Sequence, residues 1–230
     1  MAEPVGDPVP SVSATGSRAE VLVGPSTTLR RPTPGIDALA LYPLTHGSQE
    51  AEATWTYMGY GPWPTVEAMT AWMDRCRAST DPWWYTITGE TTEPLGMAAF
   101  LNHSEADRRI EVGHIWYAPT AQRTHANTEA ILLMATHAFA TLGCRRLEWK
   151  CDALNEPSRV AAERLGFTFE GISRNHMIVK GRNRDTAWYS ITDAEWPRVE
   201  QAMRLWLYEE PRDRRGGQTR SLAEVRASLN

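Results

Sequence analysis

The residues best suited to chemistry lie between Ile110 and Ser190, and the first is a carboxylate inside an apolar strand. Glu111 stands in IEVGHIWY, where simple alternation groups it with Gly113, Ile115 and Tyr117 and sends His114 to the opposite face. A carboxylate there is costly unless it is paired or put to use. Glu111 is thus either a functional carboxylate or one that is exposed at an edge or salt-bridged near Arg108 and Arg109. Eleven residues later a polar loop, Gln122, Arg123, Thr124, His125, Ala126, Asn127 and Thr128, opens a helix, EAILLMATHAFATLG. A helix start offers unpaired N–H groups and the positive end of the macrodipole, so it suits a phosphate or diphosphate. Small residues at 121, 124, 126 and 128 let a ligand approach the backbone. GxGxxG and GxxxxGK[ST] are both absent, which argues against nicotinamide or nucleoside triphosphate sites.

Other nucleophile and metal chemistry finds little support. Cys76, Cys144 and Cys151 form no CxxC pair, and none has a histidine in an activating arrangement that the sequence can show. The six histidines show no HExxH or HxH spacing, so no metal site is expected. An odd cysteine count without pairing motifs points to a reducing, cytoplasmic location.

Elements that must hold these residues follow from periodicity. Trp83 to Thr88, Pro94 to Leu101, Arg109 to Tyr117 and Arg146 to Cys151 read as strands, and Phe167 to Val179 with Asp185 to Ile191 as a hairpin. A long helix is expected over Thr120 to Leu142, with Ile131, Ala135, Ala138 and Leu142 on one stripe and Gly143 ending it. Asn155 to Leu165 reads as a short helix closed by Gly166, and a last helix as starting at Thr192 and running toward Leu207. Ile36 to Leu44 and Thr65 to Arg77 give two earlier helices. The order predicts a mixed α/β (α+β) fold, a twisted sheet with helices on both faces.

Composition sets the outer limits. The chain of 230 residues suits one domain, with a disordered arm over 1–20, a body over 21–210 and a solvated tail over 211–230 in which Ser221 caps a short helix. Arg212, Arg214 and Arg215 in that tail suit either anion binding or mere solubility. A net charge of −4 with no basic stripe argues against nucleic acid, and no run of apolar residues is long enough to span a membrane.

The stretch QRTHANTEAILLMATHAFATLGCRRLEWKCDALNEPSRVAAERLGFTFEG resembles the GNAT superfamily of acyl-CoA N-acyltransferases, in its RimJ/RimL-like branch. Matches include Asn127-Thr128-Glu129-Ala130, Leu142-Gly143, Asp152, Asn155, Ser158, Arg164 to Phe167, Glu170-Gly171, Arg184-Asp185-Thr186 and Tyr189-Ser190-Ile191. Arg123 and His125 replace two glycines of the branch pattern. Either the loop avoids left-handed conformations, or His125 accepts one under strain.

The resemblance implies a GNAT-like, mostly antiparallel sheet and direct transfer from acetyl-CoA to an amine, with no metal. It places the diphosphate on Gln122 to Thr128 and the pantetheine arm on the backbone of Ile115, Trp116 and Tyr117. Glu111 would be the general base, and Asn155 and Ser158 would lie near the sulfur, Ser158 assisting the thiolate. The competing reading makes Asn155 or Ser158 a helix N-cap. A non-catalytic acyl-CoA-binding module and an enzyme for longer acyl donors are the alternatives. The acceptor is a small-molecule or peptide amine, and a homodimer is compatible with the pattern. Trp55, Tyr57, Tyr60, Trp63, Trp83, Trp84 and Tyr85 are either core or acceptor-pocket walls, and His176 and Lys180 are within an acceptor's reach.

Overall fold

The computed structural model describes residues 5–10, 16–212 and 217–229. Strands form where aromatic, β-branched and small apolar residues cluster: β1 Val21–Val23, β2 Thr28–Arg30, β3 Trp83–Thr88, β4 Pro94–Ser104, β5 Arg109–Tyr117, β6 Arg146–Asp152, β7 Thr168–Val179 and β8 Arg182–Thr192. They make one eight-stranded sheet in the order β1-β2-β3-β4-β5-β6-β8-β7. Neighbours run antiparallel except β5 and β6, which are parallel. Helices α1 Pro34–Thr45, α2 Gln49–Glu52, α3 Val66–Ala78, α4 Ala126–Thr136, α5 Glu156–Leu165, α6 Trp196–Arg204 and α7 Leu222–Ala227 complete the fold.

The sheet separates two cores. On one face Ile131, Met134 and Ala135 of α4, and Val199 and Met203 of α6, meet Ile110, Val112, Leu147 and Trp149. On the other, Ala38 and Leu41 of α1 and Met69, Trp72 and Met73 of α3 meet Trp84, Met97, Ala99 and Trp116. Each large apolar side chain so buried contributes about 1.5–3 kcal/mol. The mixed sheet flanked on both faces is the expected class.

Several boundaries differ from the sequence reading. The long helix starts at Ala126, not Thr120, because Pro119–Ala121 makes a 3₁₀ turn and Arg123 takes φ 61°, which no α-helix tolerates. Past Thr136 the helix widens into a π-turn over His137–Thr141 before Gly143, at φ 65°, reverses the chain. The last helix begins at Trp196 with Glu195 at its N-cap. Thr192 instead donates its N–H and hydroxyl to the Glu195 carboxylate, each at 2.8 Å. Strands β1 and β2, three residues each, carry too little pattern to be read in advance.

The termini also need correcting. Ala19 O accepts from Trp83 Nε1 (3.1 Å) and Tyr85 Oη (2.7 Å), so the end of the expected arm is held on the body. In the expected solvated tail, α7 buries Leu222 and Val225, and Arg226 donates to Arg164 O at 2.9 Å. Ser221 caps α7 with Glu224 in a reciprocal capping box, as its position predicted. Residues 1–4, 11–15, Arg214 and Arg215 lie outside the described residues.

Candidate active site

The parallel pair opens the site. β5 and β6 are in register only from Arg109↔Arg146 to Val112↔Trp149, yet β5 continues to Tyr117 and β6 to Asp152. Each outer edge stays paired, β5 with β4 and β6 with β8, so the two strands part like a V. Beyond Val112 the inner edge of β5, with Ile115, Trp116 and Tyr117, pairs with no strand among the described residues.

Glu111 sits at the foot of the V, 2% exposed. Its partner is neither Arg108 nor Arg109: Lys150 Nζ lies 3.0 Å from Oε2, and Asn102 Nδ2 donates to Oε2 at 2.8 Å. Arg109 instead pairs with Glu148 (3.3 Å) and Asp107 (3.7 Å). Burial pushes the Glu111 carboxyl above the ordinary glutamate value, and Lys150 and then Asn102 partly offset it. That combination keeps a carboxylate in place while making it a better proton acceptor.

A bulge rewrites the faces beyond Glu111. Met97 pairs with Trp116 and Ala99 with Gly113, so β5 carries one extra residue there, and His114 takes φ 53°. His114 therefore does not point opposite Glu111. Its ring lies 4.5 Å from Trp84 and 5.7 Å from Tyr60, in the core shared with Ala99. Ile115 and Tyr117 turn to the other core instead. Burial, then Lys150 and Arg184, hold His114 down at about 4, so its imidazole is neutral.

The loop before α4 has the conformation that its glycine-like positions suggested, but at Arg123 rather than His125. His125 is helical at φ −67°, and it offers no side-chain cap. The first main-chain bond of α4 runs from Glu129 N to His125 O at 3.0 Å, so the N–H groups ahead of it have no partner in the helix. Thr124 Oγ1 donates to Ala121 O (2.8 Å) and Gln122 Nε2 to Tyr117 O (3.2 Å), which tie the turn back on itself and leave its main chain outward. Ala126 and Thr128 are buried, and Thr128 Oγ1 takes a hydrogen bond from Arg164 (3.0 Å), so their side chains belong to the fold. Among the described residues, Asn127 Oδ1 and Tyr117 Oη are buried without partners beside this opening.

On β6 and α5, Asn155 is the N-cap, with Oδ1 accepting from Ser158 N at 3.2 Å. Ser158 is free of that duty. Its hydroxyl accepts from Trp149 Nε1 (3.2 Å) and also lies within hydrogen-bonding reach of the Cys151 thiol. Burial pushes all three thiols up, Cys76 to about 12 and Cys144 to about 11, with Cys151 also raised, so none is a ready nucleophile. Among the described residues no group of His, Cys, Asp or Glu is arranged for a metal ion.

The aromatic residues divide. Trp55, Tyr60, Trp63 and Trp84 join Trp72 and Trp116 in one packed cluster, whereas Tyr85 belongs to the opposite core. Tyr57 stands at the rim, where its hydroxyl donates to Leu154 O at 3.0 Å, and Lys180 Nζ reaches Trp55 O at 2.8 Å. These bonds draw the segment after α2 across the mouth of the V, against the β6–α5 loop and the β7–β8 turn. His176 is turned to Thr186, with 3.0 Å between Nδ1 and Oγ1. Lys150 and Asn102 escaped the sequence reading. Alternation in RLEWKC puts Lys150 on a face with Glu148, but only the strand register brings that face to Glu111.

The site is thus a parted parallel pair beside a helix start without a side-chain cap. Residues 27–168 match the family model "Acetyltransferase (GNAT) domain", and the chain belongs to that family of N-acetyltransferases. A crystal structure of a GCN5-related N-acetyltransferase from Brucella melitensis is 36% identical, with TM-score 0.88, covering 94% of this chain and 98% of that one. A GNAT-family protein from Chromobacterium violaceum ATCC 12472 is 33% identical, with TM-score 0.76, covering 85% and 100%. YdaF of Bacillus subtilis (strain 168), provisionally named a ribosomal N-acetyltransferase, is 33% identical over 101 residues. That match covers 44% of this chain and 55% of YdaF, so the chain spans little more than half the length of this curated relative. The name agrees with the RimJ/RimL-like resemblance of the motifs. No helix among the described residues is long and apolar enough to cross a membrane.

Proposed function

We propose that this protein transfers an acetyl group from acetyl-CoA to a primary amine, by direct attack within a ternary complex. The observation that carries this reading is the V between β5 and β6, with Glu111 at its foot and the bare start of α4 beside it. The backbone of Gln122 to Thr128 would hold the diphosphate, and the inner edge of β5 at Ile115 to Tyr117 the pantetheine arm. The orphaned Asn127 Oδ1 and Tyr117 Oη are polar groups that such a ligand would satisfy. The unpaired amides of β5 would also polarise the thioester carbonyl.

An amine near pKa 10.4 arrives protonated and must lose a proton to attack. Glu111, raised by burial and steadied by Lys150 and Asn102, would take that proton through one water. Ser158 would donate to the departing thiolate. Three suppressed cysteine thiols favour direct transfer over an acyl-enzyme. Because YdaF is named for ribosomal N-acetylation, a protein or peptide amine is the first acceptor class to try.

The test is a thiol-release screen with acetyl-CoA against small amines, amino acids and N-terminal peptides. Acceptor-dependent release supports the transferase. CoA binding with no release from any amine would favour a non-catalytic binding module, and faster release from longer acyl donors would reassign the donor.

A further inference from the structure

Resting on the transferase reading, one cation on the acceptor side has no ion-pair partner among the described residues. Arg184 lies on β8, two residues before Thr186, which pairs with Asp152 at the end of β6. It therefore stands at the open top of the V. Alternation along β8 sets Arg184 on one face with Thr186 and Trp188. Lys150 lies over the Trp188 ring at 5.5 Å and reaches Glu111, so this is the face that carries the base. Arg184 is also close enough to help keep the neutral His114 unprotonated.

No acidic group among the described residues pairs with it, and its Nε is buried without an acceptor. The carboxylates nearest in register are otherwise engaged. Asp152 accepts from Leu154 N at 2.9 Å, and Asp185 from Asn175 N at 2.7 Å and Asn183 Nδ2 at 3.0 Å. Glu111 is matched by Lys150. A half-buried guanidinium left with an unsatisfied Nε is costly, and its planar fork fits a carboxylate in two-point contact. Arg184 is thus a cation at the mouth of the V whose Nε–H finds no acceptor in the described fold.

We infer that Arg184 binds a carboxylate of the acceptor, so that the preferred substrate is an amine bearing a carboxylate close to its amino group. Two sources share that chemistry: a free amino acid, through its α-carboxylate, and a peptide with an acidic first residue. A carboxylate on the acceptor would satisfy the Nε–H that the fold leaves without a partner, whereas a plain amine would not.

The experiment measures thiol release from acetyl-CoA with matched pairs: amino acids against their amides, and peptides starting with Asp or Glu against those starting with Asn or Gln. The expected result is kcat/KM at least about tenfold higher for one carboxylate series, the series that responds naming the source. Arg184→Gln should erase that preference by lowering only the carboxylate rates, while Arg184→Lys restores part of it. An unchanged melting temperature in both variants would show that the fold is intact. Equal rates within every pair, or an equal loss for both members in Arg184→Gln, would overturn the inference and leave the transferase standing. No release from any amine would overturn both.

Discussion

Two buried glutamates, eighteen residues apart in the sequence, show how surroundings divide one residue type between architecture and chemistry. Glu129, fully buried in the first turn of α4, faces three donors: Ser26 N at 3.2 Å, the Ser26 hydroxyl, and Tyr208 Oη at 2.9 Å. It ties the β1–β2 turn and the end of the α6 region to the start of α4. The approach is so close that a β-carbon on Gly24 would sit 2.5 Å from Oε1. Glu111 has one amide and one ammonium, and it stands where two strands separate. Glu129 is enclosed by donors from its own fold, whereas Glu111 keeps capacity for a proton and a route to the cleft. Burial alone does not distinguish them.

The sharpest way to break that comparison is to remove each carboxylate. Glu111→Ala is expected to lower turnover about 10²–10⁴-fold with co-substrate affinity nearly unchanged, read by steady-state thiol release and by calorimetry. Unchanged turnover would sink the base assignment. Glu129→Ala should instead cost about 2–4 kcal/mol of stability, since three donors lose their acceptor. Urea unfolding measures it, and a protein as stable as wild type would deny Glu129 its structural role. A smaller effect sharpens the reading of Ser158: its change to alanine should lower kcat about tenfold while Asn155 still caps α5, so the melting temperature holds.

Acid–base behaviour separates the regions further. Because burial raises Glu111, its folded form binds a proton more readily than its unfolded form, and ionising it opposes folding. Stability is therefore expected to fall as pH rises from the ordinary glutamate value through the raised one, and Glu111→Gln should flatten that slope in a melting series. Lys150→Met, which strips away an offsetting charge, should move the acid limb of the rate profile to higher pH. A limb that stays in place would exclude Lys150 as the counter-ion. The smallest effect concerns the cofactor-side turn, where Arg123→Gly relieves a left-handed arginine. It should gain about 1 kcal/mol in urea unfolding.

Much of this was legible in advance because its causes are local. The strand–loop–helix order, the Gly166 stop of α5 and the Ser221 cap follow from spacing and from single residues whose conformational preferences are strong. His114 was misplaced because alternation assumes an unbroken pleat, and a bulge turns every later side chain over. The helix start slipped from Thr120 to Ala126 because a left-handed residue other than glycine leaves no compositional mark.

Sequence alone determined the family motifs, the alternation of elements, and that a carboxylate lay in an apolar strand upstream of a helix start. Only the tertiary structure decided what that carboxylate meets. Lys150 and Asn102 come from two other strands, and Arg184 stands at the mouth from a third. Those partnerships depend on strand register and on where β5 and β6 part, and register arises from packing between segments far apart in the chain.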